Sequence, residues 1–239
     1  MGIDLRRLWQ WLLPEKHPAL KENRRAFRKL DTGRPIEEYE FVSMDTELTG
    51  LDRKTDAIVS LGAVRIRGLR IQAGENFFSY VYPTAQMPKV STLIHRITPE
   101  QIKNAPQLEE ILPDFIEWCG SALFVGHFVA LDVGFLNRAC SRFLGGKLAN
   151  PSLDSLTLAQ HYCQIQRSYY DNVFVPNGSF NLGQLARQYG LPAFDEHDAL
   201  EDAFQAACLF LFLVRKLQAS GFSTLRDFLT ASRRGARVF

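Results

Sequence analysis

The sequence predicts an α/β domain, a mixed sheet covered by helices, preceded by a basic helical extension. Three observations lead there. Strand-like runs cluster between residues 41 and 82 with short connections, as in an antiparallel meander. Beyond them a strand candidate alternates with helical periodicity, and a meander followed by alternating elements makes a mixed sheet. The 239 residues, 46% hydrophobic and 23% charged, supply a core for one such domain plus an extension.

The extension is residues 1–36. Two short helices are read there, separated by the Pro14–Pro18 segment. The first has an apolar stripe of Leu5, Leu8, Trp9, Leu12 and Leu13, broken by Pro14 and too short to cross a bilayer. Packing against the main domain or a partner is expected there, ahead of attachment to a membrane surface. The second helix carries Arg24, Arg25, Arg28 and Lys29, and Gly33-Arg34-Pro35 reads as a linker. Residues 1–34 sum to +5, whereas residues 35–239 sum to −3. A mildly acidic body with a basic arm suits a protein that gathers carboxylates in one site and meets a polyanion elsewhere; a solvated helix face accounts for the same arm.

The main domain is expected over residues 37–239. Phe41-Val42-Ser43-Met44 starts the first strand, ending in Asp45-Thr46-Glu47 and a turn at Gly50. Ala57–Ile66 and Phe77–Tyr82 are the next strands. Thr98-Pro99-Glu100-Gln101 is a helix start, with Thr as N-cap, Pro at the first position and Gln three residues on. Leu108–Trp118 continues with helical spacing, Ala122–Val125 reads as a buried strand, and Leu131–Leu144 as a helix. Later helices are expected near 153–163, 181–189, 199–218 and 223–231. The 18 Phe residues are mostly packing material.

Cys119, Cys140, Cys163 and Cys208 are far apart and form no C-x-x-C pair, which argues against a zinc site and for reduced, buried thiols in a cytoplasmic protein. Neither a cleavable signal peptide nor a membrane-spanning run is read, so no stable membrane insertion is expected.

Three local patterns carry chemistry. Asp45 and Glu47, two apart on a strand, project from one face, and crowded carboxylates at the end of an apolar strand call for a cation. Gly126-His127-Phe128-Val129-Ala130-Leu131-Asp132 leaves a strand and opens a helix with Asp132 in its first turn; an acid there also suits the helix dipole. His197-Asp198-Ala199-Leu200-Glu201-Asp202 precedes a long apolar helix. With His197 on the loop and Asp202 one turn in, both can reach one centre, leaving Asp198 as helix cap and Glu201 as a solvated neighbour.

Taken in order, Asp45-x-Glu47, Gly-His-x-x-x-x-Asp132 and His197-x-Ala-x-x-Asp202-Ala resemble the DEDDh 3′–5′ exonuclease superfamily, the group of the polymerase epsilon proofreading subunit and ribonuclease T. His95-Arg96-Ile97-Thr98 resembles the family's H-G-I-T segment, Asp154-Ser155-Leu156 its D-T-L, and Asn181-Leu182 with Leu185 the helix before the last motif. The resemblance covers about residues 40–215. It implies a ribonuclease-H-like, five-stranded mixed sheet and a metal-dependent nuclease releasing nucleoside 5′-monophosphates from the 3′ end of DNA or RNA. It further implies two Mg²⁺ or Mn²⁺ ions held by Asp45, Glu47, Asp132 and Asp202. Hard carboxylate oxygens suit those ions, which roughly 3.5–4 Å apart act as a clamp. His197 would take the proton of the attacking water, a task histidine suits near neutral pH.

By the same resemblance, Thr46, Leu48, Leu51 and His95 would hold the terminal nucleotide of a single-stranded or 3′-overhanging nucleic acid. Leu48 stands where the family usually has Thr, and Phe128 where it often has Asn. Phe128 is a candidate to stack on a base, against a plain packing role. The extension is a candidate surface for a polymerase or other protein partner, or for steering substrate. With no sliding-clamp pentapeptide read near Arg237-Val238-Phe239, a free-standing enzyme is expected. The competing reading is a catalytically degenerate nucleic-acid-binding or scaffold module.

Overall fold

The computed structural model describes residues 17–169 and 180–235. The stripe at residues 5–13 and the end at 237–239 lie outside them. Five strands form one mixed sheet: β1 (Phe41–Leu48), β2 (Ile58–Arg67), β3 (Arg70–Tyr80), β4 (Leu123–Gly126) and β5 (Ser152–Asp154), in the order β3-β2-β1-β4-β5. β1, at the centre, runs antiparallel to β2 and parallel to β4, and β4 is parallel to β5. The helices are α1 (Pro18–Phe27), α2 (Lys89–His95), α3 (Pro99–Ile102), α4 (Leu108–Cys119), α5 (Ala130–Phe143), α6 (Ser155–Tyr169), α7 (Leu182–Gln188), α8 (Ala199–Gln218) and α9 (Leu225–Gly235).

Alternation along β1 and β2 divides the core in two. Val42, Met44, Leu61 and Ala63 pack with α1, α4 and α5 on one side. Phe41, Val64 and Ile66 pack on the other with α8, where Phe41 meets Phe210 at 5.1 Å between ring centroids. Asp45 and Glu47 continue the Phe41 face towards α8; Thr46 continues the Val42 face towards α5.

Three expectations need correction. The third strand begins at Arg70, not Phe77. It is joined to β2 by Gly68 and Leu69, at φ +53° and +55°, the paired left-handed residues of a two-residue hairpin turn. The helix expected from residue 153 is preceded by the three-residue strand β5, whose Asp154 already pairs beside Gly126. Gly33-Arg34-Pro35 is not a free linker. Arg34 O accepts from Leu225 N at 3.1 Å and Ile36 N donates to Ser223 O at 3.0 Å, tying the segment to the start of α9.

α1 is docked on the domain. Leu20 is fully buried, and Asn23 Nδ2 donates to Asn150 Oδ1 at 2.6 Å while Asn23 Oδ1 accepts from Ala149 N at 2.8 Å. α3 has the expected capping box between Thr98 and Gln101. The four cysteines are unpaired, three of them buried. No described helix is long and apolar enough to cross a membrane.

Candidate active site and metal centre

The site is assembled where β1 leaves the sheet. Its register with β2 shifts between Glu47 and Leu48, so pairing loosens just past the two acids. Asp45 lies directly opposite Gly62, and there the start of α8 comes down on the sheet. A Cβ on Gly62 would sit 2.3 Å from the backbone of Ala199 and Leu200, so only glycine admits this approach. Asp198 caps α8, its Oδ1 accepting from Leu200 N and Glu201 N at 3.0 and 3.1 Å. Asp202 is thereby brought over the Asp45–Glu47 face. Glu201 accepts from Asp195 N at 3.0 Å, away from the acids.

His197 sits on the preceding turn at φ +72°, its amide donating to Asp202 Oδ2 at 2.9 Å. That left-handed backbone turns the imidazole back over the helix start. One ligand atom each from Glu47, His197 and Asp202 lie within 4.8 Å of one another. Asp132 approaches from the other face of the sheet. Its Oδ1 accepts from Thr46 N at 3.1 Å and Thr46 Oγ1 at 2.5 Å, so both donors of Thr46 are spent on this carboxylate.

Electrostatics tie the four acids together. Burial, then the charges of Asp132, Asp202 and Glu47, hold the Asp45 carboxyl well above the usual range. Burial lifts Glu47 to about 7, helped by the Asp202 and Asp198 charges. Asp132 is lifted to about 7 by burial despite the Thr46 hydrogen bonds, and Asp202 to about 6 despite the His197 amide. None of the four is paired to a Lys or Arg among the described residues. Acids so crowded are compensated by bound cations, and an all-oxygen set with one imidazole fits hard divalent ions of the Mg²⁺ and Mn²⁺ class.

The residues expected at the nucleic-acid end divide into rim and support. Leu51 is 75% exposed on the loop after β1, and Phe128 is 54% exposed. Arg53 Nη2 donates to Ala130 O at 2.9 Å, drawing the two together. Phe128 is held at φ +60°, its amide donating to Asp154 Oδ1 at 3.0 Å. Leu48 packs partly into the core. His95, at the end of α2, is buried; its Nδ1 accepts from Ile97 N at 3.1 Å, which puts the proton on Nε2, an atom with no partner. Burial lowers the His95 pKa, and the His197 charge adds to that.

Three residues have supporting roles that the sequence did not assign, although Asp154 and His127 stand in the motifs quoted above. Asp154 accepts from both Phe128 N and Leu156 N, the latter at 2.9 Å, fixing the turn that launches α5. His127 bridges Ser155 Oγ at 3.0 Å and Phe180 O at 2.7 Å, and burial lowers its pKa. Gly62 sets the height of α8. The acid at a helix start was a visible signal for Asp154; Gly62 offered none without the register.

Fold and site together define a ribonuclease-H-like α/β enzyme with an acidic metal-type centre at the end of its central strand. The chain belongs to the exonuclease family, the DEDDh 3′–5′ superfamily that its motifs resemble: the family described as Exonuclease matches residues 42–210. It is 33% identical over 177 residues to the DNA polymerase III subunit epsilon of Aquifex aeolicus, covering 74% of this chain and 81% of that one. It is 32% identical over 190 residues to the PolC-type DNA polymerase III of Caldanaerobacter subterraneus, covering 80% of this chain but 13% of that much longer protein. Among solved structures, exonuclease X with 5′-overhanging duplex DNA shares the fold at TM-score 0.58 and 21% identity, covering 80% of this chain and 99% of that one. Escherichia coli exonuclease I with a dT13 oligonucleotide does so at TM-score 0.65 and 17% identity, covering 77% and 42%.

Proposed function

We propose that this chain removes nucleoside 5′-monophosphates one at a time from the 3′ end of a single-stranded or 3′-overhanging DNA, with Asp45, Glu47, Asp132 and Asp202 as ligands of two Mg²⁺ or Mn²⁺ ions. The observation that carries the reading is the approach of Glu47, His197 and Asp202 to within 4.8 Å of one another, with Asp45 two residues before Glu47 on the same strand. DNA is favoured because the Aquifex relative is named as a DNA polymerase subunit and the solved neighbours hold DNA. A polymerase partner for residues 1–36 belongs to the same reading.

Asp45, Glu47 and Asp202, on the side facing His197, and Asp132, oriented by Thr46, would hold the ions. Bound there, the ions would activate a water and neutralise charge on the leaving 3′ oxygen. His197 would accept a proton from the attacking water, its ring placed by the left-handed turn and by the hydrogen bond of its amide to Asp202. The unpartnered Nε2–H of His95 is a donor for a sugar or phosphate oxygen of the terminal nucleotide. Leu51 and Phe128 flank its base without reading sequence.

A labelled oligonucleotide with Mn²⁺ tests this. Asp45→Ala or Asp202→Ala should each lower trimming by about a thousandfold or more. Full activity in either variant rules the reading out. His197→Ala should lower turnover while calorimetry shows manganese still bound; lost uptake would make His197 a ligand instead of the base. Oligonucleotide binding without cleavage under several metals would point to the degenerate binding module.

A further inference from the structure

α2 turns two faces in different directions. Ser91 and His95, four apart, are buried against the domain, whereas Val90, Leu93 and Ile94 are 66%, 79% and 49% exposed. These three make one apolar strip. Lys89 and Arg96, both exposed, stand at its two ends, and neither has an ion pair among the described residues. From Val81 to Thr98 the chain contains no Asp or Glu. The strip also lies beside the site: Ile97, two residues past His95, is buried in one cluster with Val59 of β2, and the next residue of that strand, Ser60, pairs with Glu47.

Arg96 is itself unusual. It ends α2 at φ +58°, a conformation that glycine adopts freely and a side chain resists. A cation is held there at the cost of backbone strain, at the mouth of an acidic centre that would otherwise repel a polyanion. Lys89 lies about 10 Å along the helix, the rise of on the order of three stacked nucleotides.

We propose that this face of α2 is the track for the nucleotides upstream of the one being cleaved, with bases on Val90, Leu93 and Ile94 and phosphates met by Arg96 and Lys89. The proposal rests on the reading that a strand's 3′ end enters the acidic site. Single-stranded nucleic acid is the occupant because the strip joins apolar contact area to cations, lacks acids and is continuous with that site.

The test is anisotropy with a labelled twenty-nucleotide oligo-dT and a labelled thymidine mononucleotide, with Ca²⁺ replacing Mn²⁺ so that strands stay intact. Arg96→Gly should weaken the long strand by about threefold to tenfold and flatten its log affinity against log salt by about 0.7, one phosphate contact. Glycine suits φ +58°, so this variant should melt no lower than the parent, which excludes misfolding as the cause. Leu93→Ser should weaken the long strand by about fivefold. The mononucleotide should bind each variant within about twofold of the parent. Retained long-strand affinity and slope would overturn the track and leave the face to a protein partner; equal loss for the mononucleotide would also overturn it, placing the effect at the terminal nucleotide. Hydrolysis of thymidine 5′-p-nitrophenyl phosphate with Mn²⁺ tests the centre separately. A parent chain that binds the long strand through this face yet hydrolyses nothing would remove the exonuclease reading and leave the track.

Discussion

α8 and α2 both reach the acidic centre, and they are held there in opposite ways. α8 runs for 20 residues across β1 and β2, buries Ala203, Ala206, Leu209 and Phe210, and delivers Asp202 from its first turn. α2 has seven residues, buries only Ser91 and His95, and turns three large apolar side chains outward. The group that must stay within a fraction of an ångström of its partners sits on the element with the most core beneath it. The element proposed to face a long, sequence-variable strand has little core and more freedom to adjust.

The strongest way to break this contrast is to lift α8. Gly62→Ala would place a Cβ 2.3 Å from the backbone of Ala199 and Leu200, where no side-chain rotation relieves the clash. Displacement by about 1 Å is enough to cost on the order of a hundredfold in turnover. Weaker manganese uptake and a lower melting midpoint should accompany it. Gly74→Ala, on β3 with open space around the added methyl, is the matched control and should change neither. If Gly62→Ala keeps turnover within fivefold of the parent, the close approach of α8 is not what positions Asp202.

The two helices also differ in how they feel pH. The centre that α8 enters carries Glu47, Asp132 and Asp202, lifted to about 7, 7 and 6, whereas the α2 segment has no acid. Unfolded, such carboxyls titrate near 4. Between about pH 4 and 7 the folded protein therefore holds more protons than the unfolded chain, and stability falls as pH rises through that window. The metal-free protein should melt roughly 5 °C lower at about pH 8 than at about pH 5.5, and saturating Mn²⁺ should recover the loss at the higher pH. Manganese affinity should weaken below about pH 6 as protons compete for the same oxygens. A metal-free midpoint that is flat or rising over this range would mean the acids are not crowded as the geometry places them.

The same contrast explains what the sequence disclosed. Asp45, Glu47, Asp132, His197 and Asp202 were legible because each sits at a start or end that local pattern marks: a strand terminus, a first helical turn, a capped loop. The long apolar repeat behind Asp202 made α8 legible too. α2 was missed because Pro88 starts it without a side-chain cap and seven residues carry too few repeats to show a period. The first half of β3 was missed because Arg70, Gln72, Glu75 and Asn76 belong to an edge strand with little core to declare it. β5, at three residues, is defined by its parallel partner β4 rather than by its own composition. Gly62 is the instructive case. Its function depends on register opposite Asp45 and on a helix that begins 137 residues later, at Ala199, and no local pattern encodes either.

The smallest effect expected concerns what little does hold α2. Ser91 Oγ donates to Pro88 O at 2.8 Å in a buried setting, one of few bonds anchoring the helix to its own start. Ser91→Ala removes about 1 kcal/mol, which is about fivefold in a local opening equilibrium. Hydrogen exchange should quicken by about that factor at the amides of Thr92 and Arg96, which bond to Pro88 O and Thr92 O, while amides in the middle of α8 keep their rates. With a long oligonucleotide the variant's KM should rise by about twofold to threefold at constant kcat, because a looser α2 weakens strand contact without moving Asp202. Faster exchange spreading into α8, or a fall in kcat, would show that the two helices open as one unit and that the division between a rigid reacting centre and an adjustable approach does not hold.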